Sequence, residues 1–174
     1  MNQFLLLSLR FLHIFGGVLW VGAAVAYFFF TQPSVKALGP AGGTFMTVFM
    51  EKRRYPIFMA VTSSATILSG FPLFFFASGK FSSAWLSSGP GIGFTVGSVL
   101  AIVGYFIGFV MISPRAQRLS KLGQQAGQAG GPPSPELIAQ MEQLDHEAHR
   151  WEFIEFVLLS LSLLLMATAR YMNF

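Results

Sequence analysis

Long uninterrupted runs of apolar residues dominate the hydropathy pattern of the chain. These runs cover residues 11–30, 56–77, 91–112 and 153–169, and Glu155 is the only Asp, Glu, Lys or Arg within them. An α-helix needs roughly 20 apolar residues to cross a bilayer. The pattern therefore predicts four membrane-spanning helices.

Strands are excluded as the spanning elements. A lipid-exposed strand leaves backbone amides without partners, and a closed barrel requires alternating rather than continuous apolar positions. The predicted fold class is an all-α membrane protein, a four-transmembrane-helix bundle that forms one domain. Ser134, Pro135 and Glu136 form a typical helix start, and nothing breaks the helix from there to Arg170. The last helix is therefore predicted to extend into the cytoplasm.

Two longer segments connect the spans. Residues 117–133 are rich in Gly, Gln and Pro and too poor in apolar residues to fold alone, so they are predicted to form a flexible linker. In the first long loop, the apolar positions of residues 45–50 have helical spacing and predict a short interfacial helix.

Composition agrees with a membrane location and excludes several kinds of disulfide, metal and cofactor site. Hydrophobic residues make up 53% of the chain and charged residues 10%, far from the values of soluble domains. The chain has no cysteine, which excludes disulfides, iron–sulfur clusters and covalently attached haem. The net charge of +4 comes from residues that flank the spans, where they meet lipid head groups rather than nucleic acid.

The basic residues also predict the orientation. One side of the membrane receives eight of them and the other side three. The larger set is Lys36, Lys52, Arg53, Arg54, Arg115, Arg118, Lys121 and Arg150, and the smaller set is Arg10, Lys80 and Arg170. Because basic loops stay in the cytoplasm, we expect a multi-pass protein of the cell inner membrane with both termini outside and the two larger loops in the cytoplasm.

His13 lies about one turn inside the first span, where an ionisable side chain is costly and therefore of functional interest. Gly16, Gly17 and Trp20 follow on the same helix face. A porphyrin needs such a surface, and neutral imidazole is a common axial ligand of haem iron. The alternative is that His13 hydrogen-bonds a neighbouring helix while the glycines allow close packing.

The run LHIFGGVLWVGA, which carries His13, Trp20 and Gly22, resembles the first helix of the small membrane proteins grouped as copper-resistance protein D-like and membrane protoporphyrinogen oxidase-like. The TILSGFPLF run around Gly70 and the closing LLMATARYM run resemble their second and last spans. The resemblance implies b-type haem or copper at the first-helix histidine. The oxidases continue with an arginine-bearing segment where this chain has FFFTQPS, so only His13 is carried over.

A second axial ligand has to come from the same membrane depth as His13. Span four ends near Arg170, which places Met166 at about that level, and methionine is a known haem ligand. Arg10 and Arg170 lie at the same interface and are candidates to pair with the haem propionates. The alternatives are core packing for Met166 and interfacial anchoring for the two arginines.

Acidic and histidine side chains recur at three- and four-residue steps where the last helix approaches its span, namely Glu142, Asp145, His146, His149, Glu152 and Glu155. Such a face offers metal ligands, with His149 the candidate for a separate site, and a solvated charged face is the alternative. Glu155 lies inside the apolar run and is predicted to pair with Arg53 or Arg54.

Small residues fall on one face of span three, namely Gly93, Gly97, Ala101, Gly104 and Gly108. They indicate either close helix packing or a smooth wall against a flat ligand. The hydroxyl side chains of span two are predicted to bond their own helix backbone.

The leading hypothesis is a protein that binds b-type haem and transfers electrons or senses a small ligand such as a gas or a quinone, with a quinone or redox protein as partner. One alternative is a permease for copper or a small solute, with Met46, Met50 and Met59 as soft ligands. The other is a non-catalytic subunit of a larger membrane complex or a homo-oligomer. The sequence has no catalytic triad, phosphate-binding loop or paired intramembrane carboxylates, so no catalytic residue is assigned.

Overall fold

The computed structural model describes residues 2–128 and 133–173. Four helical units of this part are long and apolar enough to cross a membrane, and they span Gln3–Ala37, Tyr55–Ala77, Gly89–Gln128 and Pro135–Tyr171. Each contains one of the predicted apolar runs. The protein is therefore an all-α, multi-pass membrane protein, as its hydropathy pattern predicts.

Several of the helical units contain a short turn of π-helix or 3-10 helix. The first comprises α1 (Gln3–Ala26), a π-helical turn (Tyr27–Thr31) and α2 (Gln32–Ala37). Next come α3 (Pro40–Thr47), a second π turn (Val48–Lys52) and α4 (Tyr55–Ala77). They are followed by α5 (Ser83–Leu86), α6 (Gly89–Ile107), a third π turn (Gly108–Ile112) and α7 (Ser113–Gln128). The chain ends with α8 (Pro135–Thr168) and a 3-10 turn (Ala169–Tyr171).

Local sequence signals set several helix starts. Ser134 Oγ accepts a hydrogen bond of 3.3 Å from the backbone N–H of Leu137 and thereby caps α8, which then runs for 34 residues. Ser88 caps α6 in the same way through the N–H of Gly91, at 3.2 Å. The predicted long last helix is confirmed, and so is helix over residues 45–50.

Residues 117–128 of the predicted flexible linker are helical. There the third span continues as α7, which ends at Gln128. An ion pair of 3.1 Å between Arg115 and Glu147 fastens α7 to α8. A segment of low apolar content stays helical here because the preceding span provides the helix nucleus and polar contacts hold it. Residues 129–132 of the predicted linker lie outside the described residues.

The helices pack mainly as two pairs, α1 with α4 and α6 with α8. A methyl group added at Gly97 would lie 3.3 Å from Leu165 Cβ, and one added at Gly104 would lie 3.0 Å from Leu159. The hydroxyl of Ser162 also donates a hydrogen bond of 2.7 Å to the carbonyl of Gly97. The glycine face of α6 therefore serves close helix packing, since α8 fills the space that a flat ligand would need.

Polarity is distributed as expected for a protein surrounded by lipid. Large apolar side chains such as Phe4, Phe30 and Leu68 are exposed. The buried side chains of α4 carry hydroxyls and are Thr62, Ser63, Thr66 and Ser69. Thr62 donates to the carbonyl of Phe58 at 2.9 Å, and Thr66 donates to the carbonyl of Thr62 at 2.8 Å. These hydroxyls thus bond their own helix, as predicted.

Candidate functional site

A cavity of about 410 Å³ lies between the two helix pairs. It is found where the two long loops leave the bundle, and we call this end of the molecule the basic end because the eight basic residues of those loops lie there. We call the space the basic-end cavity. Its volume is within the range of sites that hold small organic molecules.

The walls of the basic-end cavity are mainly aromatic and apolar. Trp20 and Tyr55 line it from the first helix pair, and Tyr105 and Phe109 line it from the second. Trp20 is 3% exposed, so the deep end of the cavity is closed, whereas the Gln124 side chain at the rim is exposed. The cavity therefore runs from a polar rim into an aromatic interior.

All three π turns of the described chain contribute to this cavity. The first supplies Tyr27 and Phe28, the second Met50 and Glu51, and the third includes Phe109. A π turn inserts an extra residue into a helix and is frequent at functional sites because it redirects side chains. Their convergence on one space marks the basic-end cavity as the candidate functional site.

Aromatic contacts hold the cavity walls in place. The rings of Tyr27 and Tyr55 stack with their centroids 5.6 Å apart, and the Tyr55 hydroxyl donates to the carbonyl of Ala23 at 3.1 Å. Trp20 meets Tyr105 edge to face at 6.3 Å and so links the two helix pairs. Rings fixed in this way form a preorganised surface for a ligand.

A buried hydrogen-bond chain forms one side of the site. The amide of Gln32 donates to Glu152 Oε2 at 2.9 Å, and Gln32 Oε1 lies 2.7 Å from His149 Nδ1. Because an amide oxygen only accepts, the Nδ1 of His149 carries the proton in this contact. Gln32 and Glu152 are buried and His149 is half-exposed. The chain thus extends from the molecular surface to a carboxylate of the cavity wall.

Glu155 is placed differently from the sequence prediction. Its carboxyl group faces the basic-end cavity and Gly108, where an added methyl group would lie 2.9 Å from Glu155 Oε1. In the described part of the chain neither Arg53 nor Arg54 forms an ion pair with it. The predicted pairing is therefore wrong, because both arginines lie exposed outside the bundle.

Glu152 is a second buried acid, which the sequence did not predict. Glu152 and Glu155 are each 8% exposed and both line the cavity, although no paired carboxylates were expected. The signal was present as the three-residue spacing, which puts both side chains on one helix face. Gln32 was missed as well, because its partner is 120 positions away in the sequence.

The rim of the cavity is polar. Glu51 accepts hydrogen bonds from the Ser120 hydroxyl at 3.1 Å and from the Gln124 amide. These contacts join the first long loop to α7. Among the described residues, Lys121 is the only lysine or arginine that lines the cavity, and its side chain is exposed.

His13 lies away from the basic-end cavity, between α1 and α4. Its Nδ1 is 2.8 Å from the carbonyl oxygen of Thr66. A carbonyl oxygen only accepts, so Nδ1 carries the hydrogen and Nε2 keeps a lone pair. Histidines that bind a metal or haem iron through one nitrogen commonly hold a carbonyl with the other. The donor chemistry of His13 therefore fits an axial ligand.

The neighbouring glycines fit that role less well. A methyl group at Gly16 would lie 2.8 Å from Thr66 Oγ1, and one at Gly17 would lie 3.6 Å from Thr66 Cγ2. The face that we expected to be open to a porphyrin is thus filled by α4. This contact favours helix packing as the role of the two glycines.

The remaining predicted haem contacts are spread over the molecule. Trp20 lines the basic-end cavity, and Met166 is half-buried, with its Cε 3.5 Å from where a methyl group at Gly97 would be. Arg10 and Arg170 are exposed. Their roles toward haem stay predictions.

Metal ligands do not converge in the described residues. No three His, Asp or Glu side chains there are grouped so that they could hold a metal ion. His149, the predicted ligand of a separate site, contacts Gln32 instead. Of the three methionines considered as copper ligands, Met50 and Met59 line the basic-end cavity and Met46 does not.

Fold and site together define a multi-pass helical membrane protein with a cavity, open at a polar rim, of aromatic and acidic side chains. No protein-family model, curated protein or solved structure matches the chain. The resemblance to the copper-resistance protein D-like group therefore stays a prediction.

Proposed function

We propose that the protein binds a small organic molecule in the basic-end cavity. The observation that carries this proposal is the convergence of three π turns on an aromatic space of about 410 Å³. Helix packing alone does not require such a space, since the α6–α8 pair reaches close contact without one.

Native mass spectrometry of the gently extracted protein tests this function. Ala60→Phe places a ring inside the cavity, whereas Ala167→Phe places one on an exposed face of α8. We expect a bound small molecule on the wild type and on the Ala167→Phe variant, with loss of that molecule from the Ala60→Phe variant. The same occupancy in all three proteins, or none in the wild type, would contradict the proposal.

We also propose that the protein resides in the inner membrane with its basic end in the cytoplasm. The asymmetry of eight basic residues against three supports this orientation. The rim of the cavity then faces the cytoplasmic head groups, and a ligand enters from the cytoplasm or from the inner leaflet.

Binding of b-type haem at His13 is the second candidate function, and the Nδ1 contact with Thr66 at 2.8 Å favours it. Haem would supply one-electron transfer. His13 would hold the iron through Nε2, and the Thr66 carbonyl would keep the ring in the required tautomer. Because α4 fills the Gly16 face, this proposal gives no role to that face.

The reduced-minus-oxidised visible spectrum of the purified protein tests the haem proposal. We expect a b-type spectrum in the wild type, its loss in the His13→Ala variant and its retention in the His146→Ala variant, since His146 is exposed. A colourless wild type after expression with ample haem would mean that His13 binds no haem and serves helix packing.

A further inference from the structure

The Glu155 side chain is mostly buried, and its carboxyl group opens onto the basic-end cavity. It is 8% exposed, and within residues 2–128 and 133–173 it forms neither a hydrogen bond nor an ion pair with another side chain. Glu152, the neighbouring acid, differs because it accepts a hydrogen bond from Gln32 at 2.9 Å. A buried carboxylate is costly unless a partner offsets its charge. Because Glu155 lines the cavity, a ligand is placed to provide that partner.

The aromatic rings around the cavity favour the same kind of partner. Trp20, Tyr27, Tyr55 and Tyr105 all line it. The faces of such rings carry negative electrostatic potential and attract cations, quaternary ammonium groups above all. Rings and carboxylates thus act in the same direction.

Other ligand classes fit less well. An anion would meet Glu152 and Glu155. Lys121, the only lysine or arginine that the described part of the chain contributes to the wall, lies at the exposed rim. A neutral molecule would not offset the charge of the Glu155 carboxylate. A bare metal ion would find no group of three His, Asp or Glu ligands among the described residues.

We propose that the basic-end cavity binds an organic cation with an apolar or aromatic body, whose ammonium group lies against Glu155. This inference rests on the proposed function and names its ligand class. Glu155 supplies the charge, the aromatic rings surround the ammonium group and its substituents, and the apolar walls hold the remainder of the molecule.

Two small probes separate charge from shape. Benzyltrimethylammonium carries the cation, and N-benzylacetamide is a neutral molecule of similar size. Binding of each is measured by titration calorimetry with the detergent-purified protein. We expect the cation to bind the wild type more tightly than the neutral amide does.

The carboxyl group is tested by Glu155→Gln, with Glu142→Gln as the control because Glu142 lies on the exposed part of α8. We expect the Glu155→Gln variant to bind the cation at least about tenfold more weakly. The amide should bind all three proteins alike. If Glu155→Gln does not fold, Trp20→Leu tests the rings instead, with cation binding expected to weaken at least about threefold.

Failure of this inference is distinguishable from failure of the proposed function. Equal binding of cation and amide, or cation binding unchanged in Glu155→Gln, would overturn the cation assignment and leave a ligand-binding cavity. Binding of neither probe would also overturn it. The mass-spectrometric comparison of Ala60→Phe with Ala167→Phe then decides whether the cavity binds any ligand.

Discussion

The absence of a side chain at Gly70 determines where the His13 ring lies. A methyl group at Gly70 would be 2.7 Å from the Cε1 of His13, closer than two carbon atoms can approach. With glycine at this position, the imidazole reaches the Thr66 carbonyl. The sequence drew attention to His13 and Gly70 separately, but their contact depends on how α1 and α4 are aligned.

We expect Gly70→Ala to destabilise the protein by about 1 to 3 kcal/mol, because the methyl group displaces the imidazole from a packed site. Thermal unfolding in detergent measures this change. Gly22→Ala is the matched control, since the added methyl group there meets no atom of a neighbouring helix within 4 Å among the described residues. Equal stability of the two variants would show that the His13 ring has room to move.

The elements differ in what holds them as helices. The spans are specified by continuous apolar sequence, and their backbone hydrogen bonds have no alternative partner in lipid. α7 is specified by its neighbours, because Glu51 bonds Ser120 and Gln124 on one side and Arg115 pairs with Glu147 on the other. Composition alone therefore predicted the spans and failed for α7.

Removing the Glu51 carboxylate should loosen α7. We expect Glu51→Ala to raise amide hydrogen exchange over residues 116–128 by roughly fivefold, the effect of losing about 1 kcal/mol of hydrogen bonding. Exchange in α4 should not change. Glu142→Ala, at an exposed position of α8, serves as the control. Unaltered exchange in Glu51→Ala would mean that continuity with α6 suffices to hold α7.

At the scale of the whole molecule, the two helix pairs leave a space between them at the basic end. Side chains close this space only partly. Most interhelical packing is within the pairs, and the contacts that bridge them are few and polar or aromatic, such as Ser64 with Tyr105 at 3.1 Å. A ligand between the pairs would add contacts that the polypeptide lacks. Binding should therefore stabilise the bundle.

The orientation of the bundle in the membrane can be tested by labelling single introduced cysteines. The chain contains no cysteine of its own that would add background labelling. Gln125→Cys lies on α7 at the basic end, and Ser82→Cys lies in the exposed loop after α4. In intact cells, we expect a membrane-impermeant maleimide to label Ser82→Cys and to label Gln125→Cys only after permeabilisation. The reverse pattern would place the cavity rim outside the cell.

The sequence by itself determined the class, the four spans and the uninterrupted last helix, because each follows from local apolar content and local capping signals. It also singled out His13 and Glu155 as ionisable groups in apolar surroundings. Only the tertiary structure decided their partners. Pairs such as Gln32 with Glu152 and His13 with Thr66 join residues 120 and 53 positions apart. Their meeting depends on helix rotation and register, which the hydropathy of each span leaves open.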